Sequence, residues 1–309
     1  MREQTVSRIC AILSGKGFQV STFLHMNSCF DIAARNGSIL LLIKVYSNID
    51  SIRPEQGFEL KKLGNALNAT AVIVGEKTKA FELNEGIVYE RYDVPVVSLQ
   101  TFENFLEKEM PEVRYFKGRK IVELDYEKLA ESRKKIGMSQ EELAEKISST
   151  PESIHRYESG KPSSLEVAEK LEKQLNTHLV RHIDIFENRK FDEKIFESRL
   201  GDELLEKVRK LGLDIALFEH SPFDAYSKYE EPLFISRGER GIEIARKAIE
   251  IGKAEKVMKG KGMILSREFS KDVVENVPIV SMDDLSTMSR KRDLFELLKE
   301  KEKKRQKNA

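Results

Sequence analysis

The chain has 309 residues, which is more than one ordinary core accommodates and fits two or three domains. Its 53 Lys and Arg nearly cancel its 52 Asp and Glu, so the net charge of +1 excludes an overall basic field, and any polyanion-binding surface must be local. Two cysteines, Cys10 and Cys29, are too few for a disulfide framework, and no stretch of about 18 apolar residues indicates a membrane segment. We therefore expect a soluble cytoplasmic protein with reduced thiols.

The first block, residues 1–110, is predicted to be an α/β domain with a mixed sheet. The Asn-Gly pair at 36–37 lies between two strand-like runs and is a strong hairpin signal. In chain order, the predicted elements are a helix at 5–15, strands at 18–24, 29–35 and 39–45, a helix at 54–68, strands at 70–75, 88–92 and 94–98, and a helix at 99–108.

Residues 111–125 are predicted to be a linker, and the next segment, residues 126–180, is predicted to be all-α. Four short helices are indicated by glycines at helix ends and by Ser, Thr and Pro at helix starts. The end signals are Gly137 and Gly160, and the start signals are Ser139 with Glu142, Thr150 with Pro151, and Ser164. The residues expected to face inward are Leu129, Arg133, Ile136, Leu143, Ala144, Ile147, Ile154, Tyr157, Val167, Ala168, Leu171 and Leu175.

A third block, residues 181–288, repeats the pattern of the first block. GFQVSTFLHMNSCFD at 17–31 matches GLDIALFEHSPFD at 212–224, and the VPVVS motif of the first block matches a later VPIVS motif. Because the matches keep their order, we predict a second α/β domain that arose by duplication of the first. The last residues, 289–309, are predicted to be a basic, charged segment that forms a fraying helix and a solvated tail, and a specific nucleic-acid-binding arm is the alternative.

The central segment resembles the lambda-repressor/Cro (xenobiotic-response-element) helix-turn-helix, whose pattern is S-Q-x-x-L-A followed by T-x-x-S-I-x-x-x-E-x-G-K. The matching residues are Ser139, Gln140, Leu143, Ala144, Thr150, Ser153, Ile154, Glu158, Gly160 and Lys161. The resemblance implies double-stranded DNA as a partner, with the helix at 151–159 in the major groove. A plain helical bundle is the alternative interpretation.

The resemblance also implies roles for single residues. Gln140 is expected to contact a phosphate, Arg156 a guanine and Glu152 a cytosine. Arg133 and Glu158 match the family's inward-facing salt bridge and are expected to be structural. The implied DNA-binding residues are Ser139, Gln140, Thr150, Pro151, Glu152, Ser153, His155, Arg156 and Lys161.

The first block resembles the PD-(D/E)xK nuclease fold, in which carboxylates hold a divalent metal and a lysine helps to activate water. Asp31 and Lys44 occupy the acid and lysine positions, but Leu42 stands where the middle acid belongs. Asp50 and Glu59 are too distant in sequence to be assigned as substitutes, and the third block has one acid with no lysine in register. We interpret both blocks as restriction-endonuclease-like folds without the chemistry.

No other motif indicates an enzyme. The sequence lacks a phosphate-binding loop and a dinucleotide-binding glycine pattern. His178 and His182 are four residues apart on a predicted helix, but without further ligands they do not indicate a metal site. We therefore predict no catalytic residue, no cofactor and no metal.

Together these features predict a four- or five-helix, lambda-repressor-like bundle between two mixed-sheet α/β domains. The expected function is a sequence-specific DNA-binding transcriptional regulator of repressor-like type, similar to archaeal helix-turn-helix regulators with flanking domains and acting as a homodimer. Two alternatives stay open. One is a metal-dependent DNA endonuclease targeted by the helix-turn-helix, and the other is a transcription-cofactor scaffold that contacts the transcription machinery.

Overall fold

The computed structural model describes residues 2–24, 28–186, 196, 201–269 and 271–307. Predictions that concern residues 187–195 and 197–200 of the third block therefore lie outside the described residues. Within the described ranges, no helix combines the length and the apolar character that crossing a membrane requires.

Helices and strands are mixed along most of the chain. The helices are α1 (Arg2–Gly15), α2 (Pro54–Leu67), α3 (Leu99–Leu106), α4 (Tyr126–Lys135), α5 (Gln140–Lys146), α6 (Pro151–Glu158), α7 (Leu165–Leu175), α8 (Glu203–Lys210), α9 (Gly241–Met258), α10 (Met282–Thr287) and α11 (Lys291–Lys307). The strands are β1 (Gln19–Thr22), β2 (Ile32–Asn36), β3 (Ile39–Asn48), β4 (Thr70–Lys77), β5 (Ile87–Arg91), β6 (Val94–Ser98), β7 (Val113–Phe116), β8 (Arg119–Val122), β9 (Ser163–Ser164), β10 (Ile215–Leu217), β11 (Ala225–Lys228), β12 (Pro232–Arg237), β13 (Lys261–Ser266), β14 (Val273–Val274) and β15 (Val277–Ser281). Every element predicted for the first block is present, with its ends shifted by a few residues.

The chain divides into two compact units. The first comprises Met1–Val45, Ile52–Val72 and Glu187–Ala309, and the second comprises Tyr46–Ser51 and Ile73–Phe186. Strands β3 and β4 each pass from one unit to the other. Part of the first block therefore shares a unit with the third block.

In the first unit, β1, β2 and β3 form an antiparallel ladder in which Thr22 is opposite Ile32 and Ile32 is opposite Ile43. Gly37 turns the chain between β2 and β3 with a φ of +57°, a conformation that glycine adopts at little cost. Helix α1 packs against this ladder. Its buried residues follow the spacing of one helix face and are Val6, Ile9 and Leu13.

The other sheet of the first unit has the strand order β10-β11-β12-β13-β15-β14. The pairs β12–β13 and β13–β15 are parallel, and the remaining pairs are antiparallel. Helix α9 packs on this sheet and supplies the crossover between β12 and β13. The core beneath α8 includes Leu204, Leu205, Val208, Leu233, Ile235, Met263, Leu265 and Val280.

The carboxyl-terminal segment differs from the predicted solvated tail. It forms helix α11, whose residues Leu294, Phe295 and Leu298 are buried in the core of the first unit. Lys301 is also buried, and its Nζ donates to the carbonyl oxygen of Ile279 at 2.7 Å. The abundance of Lys and Glu in this segment masks a short apolar stripe with helical spacing, which is enough to dock the helix.

In the second unit the strand order is β3-β4-β6-β5-β7-β8-β9, and helices α4 to α7 form a bundle with their own core. Residues 111–125, predicted to be a linker, contain the β7–β8 hairpin. Lys117 and Gly118 form its turn with φ values of 48° and 81°, the paired left-handed conformations of a tight hairpin turn. Strand β8 then pairs with β9, so the hairpin is tied to the start of α7.

The first and third blocks have the same local geometry around one aspartate each. In each block the backbone of this aspartate forms hydrogen bonds with the residue after the preceding strand and with a residue of the strand that follows the hairpin turn. Its carboxylate accepts the N–H of the residue two positions further along that later strand. The partners are Phe23, Ile43 and Val45 around Asp31, and Phe218, Ile235 and Arg237 around Asp224, at 2.7 to 2.9 Å. This shared geometry supports the duplication, which stays a prediction.

Two lysines make reciprocal contacts between the blocks inside the first unit. Each Nζ donates to a carbonyl of the first strand of the other block and lies over the phenylalanine that follows that strand. The groups are Lys62 with Leu217 and Phe218, at 2.8 and 5.0 Å, and Lys253 with Thr22 and Phe23, at 3.4 and 6.0 Å. Reciprocity of this kind is expected when two like domains pack about a two-fold axis.

Candidate nucleic-acid interface

Helices α5 and α6 are short and begin at side-chain caps. Ser139 Oγ accepts the N–H of Glu142 at 3.1 Å, and the Glu142 carboxylate accepts the N–H of Ser139 at 2.7 Å, which completes a capping box. Thr150 Oγ1 accepts the N–H of Ser153 at 3.3 Å, and Pro151 occupies a first-turn position that needs no donor. Both predicted helix starts are therefore present, separated by a tight turn.

The residues of the bundle that are predicted to face inward do so, with one exception. Ile136, predicted to face inward, is 48% exposed because it ends α4 with a φ of −94° and a ψ of 6°, where the helical periodicity stops. Tyr157 and Val167 are partly buried and pack against the core. The fully buried members are Leu129, Leu143, Ala144, Ile147, Ile154, Ala168, Leu171 and Leu175.

A bidentate ion pair joins α4 to α6. The Nε of Arg133 lies 2.6 Å from Oε1 of Glu158, and its Nη2 lies 3.0 Å from Oε2. The remaining guanidinium nitrogen donates to the carbonyl of Met138 at 2.7 Å. The side chains of Arg133 and Glu158 are 10% and 9% exposed, so the pair is shielded from most of the solvent and is stronger than a surface pair.

Gln140 extends this ion pair to α5, since its Nε2 donates to the Glu158 carboxylate at 2.7 Å. Burial alone raises the pKa of Glu158, but the hydrogen bonds from Arg133 and Gln140 and the attraction of Arg133 outweigh burial, so this pKa lies below the ordinary value. Sequence reasoning assigned Gln140 to a phosphate contact and missed its bond to Glu158, which no local pattern reveals.

The outward face of α6 presents three exposed residues, Glu152, His155 and Arg156. Hydrogen bonds from its own backbone N–H and from Thr150 lower the pKa of Glu152, so this carboxylate is charged at neutral pH and already engaged. In the described part of the chain, the Arg156 side chain has no hydrogen-bond or ion-pair partner. Pro151 and Ser153 are half-buried beside this face. Arg156 is therefore a charged donor on α6 that is available to an external acceptor.

Positive charge near the bundle is local. Helix α5 exposes Glu141, Glu142 and Glu145, so it repels a polyanion. The exposed basic residues include Lys134, Lys135 and Lys161 of the bundle, and Lys117, Arg119 and Lys120 of the β7–β8 hairpin. Phe116, beside the hairpin turn, is 51% exposed, and Lys117 Nζ lies 5.2 Å from its ring centre. The hairpin therefore presents an aromatic ring and several cations together.

In the first block, the structure brings together Asp31 and Lys44, the residues predicted to occupy the acid and lysine positions of the nuclease fold. Lys44 Nζ lies 3.0 Å from Oδ1 of Asp31, and both residues are buried. Asp31 Oδ2 accepts the N–H of Val45 at 2.8 Å, and Arg2 also contacts Oδ1. Leu42 is fully buried in an apolar environment. Both oxygens of the carboxylate are thus engaged by protein groups.

Asp50 and Glu59 do not complete an acidic cluster around Asp31. Glu59, whose pKa is raised by burial, accepts the N–H of His220 at 2.8 Å. Asp50 pairs with Arg91 at 2.6 Å. Among the described residues, no group of three potential metal ligands includes Asp31.

Two domain families match parts of the chain. Residues 2–111 match the PD-(D/E)XK superfamily domain, and residues 129–181 match the Helix-turn-helix domain. The amino-terminal block therefore has a PD-(D/E)XK-like fold, and the bundle is a helix-turn-helix domain of the Cro type.

Relatives of similar length match nearly all of the chain. A protein of Archaeoglobus fulgidus described as "Putative HTH-type transcriptional regulatory protein" is 32% identical over 300 residues, which cover 96% of this chain and 97% of the relative. Proteins with the same description in Pyrococcus furiosus and Methanocaldococcus jannaschii are 32% and 31% identical, and each match covers 97% of this chain and 98% and 97% of the relative. No solved structure matches the chain.

Replacing Glu158 by Gln should lower the free energy of unfolding by about 3 kcal/mol, because Arg133 then stays buried without its counter-charge. The control is Glu166→Gln, which breaks the exposed pair with Lys170 and should cost less than about 0.5 kcal/mol. Urea denaturation measures both values.

The depressed pKa of Glu158 sets the pH dependence of the difference in unfolding free energy between the wild-type chain and Glu158→Gln. The stabilisation is fully present above the pKa of an unfolded glutamate, about 4.3, and is lost as the pH falls through the lower folded pKa. Equal stability of Glu158→Gln and Glu166→Gln at pH 7 would contradict the structural role of the pair.

Proposed function

The chain belongs to the family of archaeal HTH-type transcriptional regulatory proteins, and from this premise we propose that it is a sequence-specific regulator that binds double-stranded DNA and reads the major groove with α6. The observation that carries the proposal is the exposed and unpartnered Arg156 on a helix whose position is held by the buried Arg133–Glu158 pair. A guanidinium in this position suits the two acceptors of a guanine edge.

The residues proposed to contact DNA bases contribute unequally to base recognition. Arg156 contributes most of the base recognition, at about 1–3 kcal/mol of discrimination against the wrong base. His155 is exposed beside it, and the carboxylate of Glu152, which is also exposed, has acceptor sites left for a cytosine amino group. Pro151 offers no side-chain hydrogen bond, so it contacts bases only through its ring.

Phosphate contacts come from residues around the two helix starts and from the basic edges. The proposed set is Ser139, Gln140, Thr150, Ser153 and Lys161, together with Lys117, Arg119 and Lys120 of the hairpin. Because α5 is acidic on its exposed face, the lysines and the arginine of this set supply the salt-dependent part of the affinity for DNA. We further propose repressor-like action as a symmetric homodimer on two half-sites about 34 Å apart, the usual arrangement for this motif.

The α/β blocks are proposed to be non-catalytic. The Asp31 carboxylate has a lysine, an arginine and a backbone N–H as partners, and buried Leu42 replaces the second acid that a metal ion would need. The relatives are described as transcriptional regulators, and we infer that the blocks serve as dimerisation or sensing modules and do not cut DNA.

Selection of bound fragments from genomic DNA should yield one preferred sequence with the wild-type chain, and paired half-sites in that sequence would support the dimer. Arg156→Ala should lose this preference while keeping non-specific affinity, because only base contacts are removed. The control is Lys173→Ala, which removes an exposed charge from α7 and should keep the preference. Absence of any enriched sequence with the wild-type chain would contradict the proposal and favour the cofactor-scaffold alternative.

Incubation of supercoiled plasmid with the wild-type chain and Mg²⁺ or Mn²⁺ should give no more nicking than incubation with Asp31→Ala. The physical reason is that the Asp31 carboxylate lacks the second acid required to hold a metal ion. Agarose electrophoresis checks this, with circular dichroism to show that the variant is folded. Metal-dependent nicking that disappears in Asp31→Ala would instead establish the endonuclease alternative.

A further inference from the structure

Three side chains that are suited to metal binding meet in the second unit, beside the helical bundle. Glu112 Oε1 lies 3.4 Å from Nε2 of His178 and 3.2 Å from Nδ1 of His182. The three ligand atoms all lie within 4.8 Å of one another, and no other such group of three occurs among the described residues. Helix α7 ends at Leu175, so the two histidines lie in the extended segment after it and not on the predicted helix.

The two distances from the Glu112 oxygen fit the coordination of a single metal ion. Zn²⁺ binds imidazole nitrogen at about 2.0–2.1 Å and carboxylate oxygen at about 2.0–2.2 Å in a tetrahedral arrangement. Two ligands of such a tetrahedron lie about 3.3 Å apart, which follows from those bond lengths. Both measured distances from the Glu112 oxygen, 3.4 and 3.2 Å, therefore have the spacing of two metal ligands.

Glu172, which is not a member of the cluster, orients His178. His178 Nδ1 lies 2.9 Å from Oε1 of Glu172, within hydrogen-bond distance, and this contact leaves Nε2, on the Glu112 side of the ring, as the nitrogen available to a metal ion. The same Glu172 oxygen accepts the N–H groups of Leu179 and Val180, at 2.6 and 3.0 Å. A carboxylate behind a histidine is the usual outer partner of a histidine that binds a metal.

The backbone around the cluster is held independently of the histidines and Glu112. The N–H of Ile183 donates to the carbonyl of Pro111 at 2.7 Å, next to Glu112 in the chain. The N–H of Arg181 donates to the carbonyl of Glu123 at 2.8 Å. The segments that enter and leave the helical bundle are thus already paired, and the ligands do not depend on a mobile loop.

We propose that Glu112, His178 and His182 bind one late first-row divalent cation, Zn²⁺ foremost, with water in the remaining position. Imidazole ligands favour such ions, whereas Mg²⁺ and Ca²⁺ prefer oxygen ligands. The bound ion joins the segment before the bundle to the segment after it. Metal availability thereby regulates the stability of the helix-turn-helix domain. The site itself does not rest on the proposed DNA-binding function.

Equilibrium dialysis of the full-length chain against ZnCl₂ tests the proposal. The wild-type chain should bind one equivalent of zinc and retain it in excess Mg²⁺, and its melting temperature should rise by about 5 °C at zinc concentrations far above the dissociation constant. His182→Ala and Glu112→Gln should each weaken binding at least tenfold. Both residues are partly exposed, so neither change disrupts a core, and circular dichroism verifies folding.

Glu169→Gln is the matched control for Glu112→Gln, because Glu169 is an exposed carboxylate of the same domain outside the cluster and its loss should leave zinc binding unchanged. Glu172→Gln should weaken zinc binding by about tenfold or more through the orientation of His178. Zinc binding that is absent in the wild-type chain, or equal in His182→Ala, would overturn the proposal. Either result leaves the selection of DNA unaffected, so failure of the metal site and failure of the DNA-binding proposal are distinguishable.

Discussion

The orientation of the proposed reading helix depends on the buried ion pair between Arg133 and Glu158. A buried pair offsets its desolvation cost only where the geometry is good and further hydrogen bonds satisfy both charges. Here Met138 and Gln140 supply those bonds, so one network contacts the end of α4, the start of α5 and the end of α6. A helix of eight residues has little rigidity of its own, and this network holds α6 with its charged face outward.

The aspartate of each α/β block also has a lysine as its counter-charge. Asp31 is balanced by Lys44 from the adjacent strand. In the third block, Ser236 follows Ile235 as Lys44 follows Ile43, and Lys247 from helix α9 approaches Asp224 to 3.1 Å instead. The lysine thus comes from a different element while the balance of charge is kept. An aspartate–lysine pair in these blocks is therefore not by itself a sign of catalysis.

Much of the fold follows from short-range signals in the sequence. Gly37, the capping box at Ser139 and the Thr150 cap each act within a few residues, and each has its predicted conformation. Elements that depend on contacts with distant parts of the chain could not be predicted from such local signals. The β7–β8 hairpin needed β9 as a partner, and α11 needed the sheet that it covers. Glu112 meets His178 only after the intervening bundle has folded, so the spacing of the two histidines in the sequence carried no sign of this third ligand.

Dimethyl sulfate protection of a selected duplex tests the central claim most directly, because this reagent methylates guanine N7 in the major groove, the atom that an arginine is expected to contact. The account predicts that the wild-type chain protects at least one guanine in each half-site and that Arg156→Ala leaves the same guanine reactive. Unchanged reactivity of every guanine in the wild-type complex would contradict major-groove reading by α6.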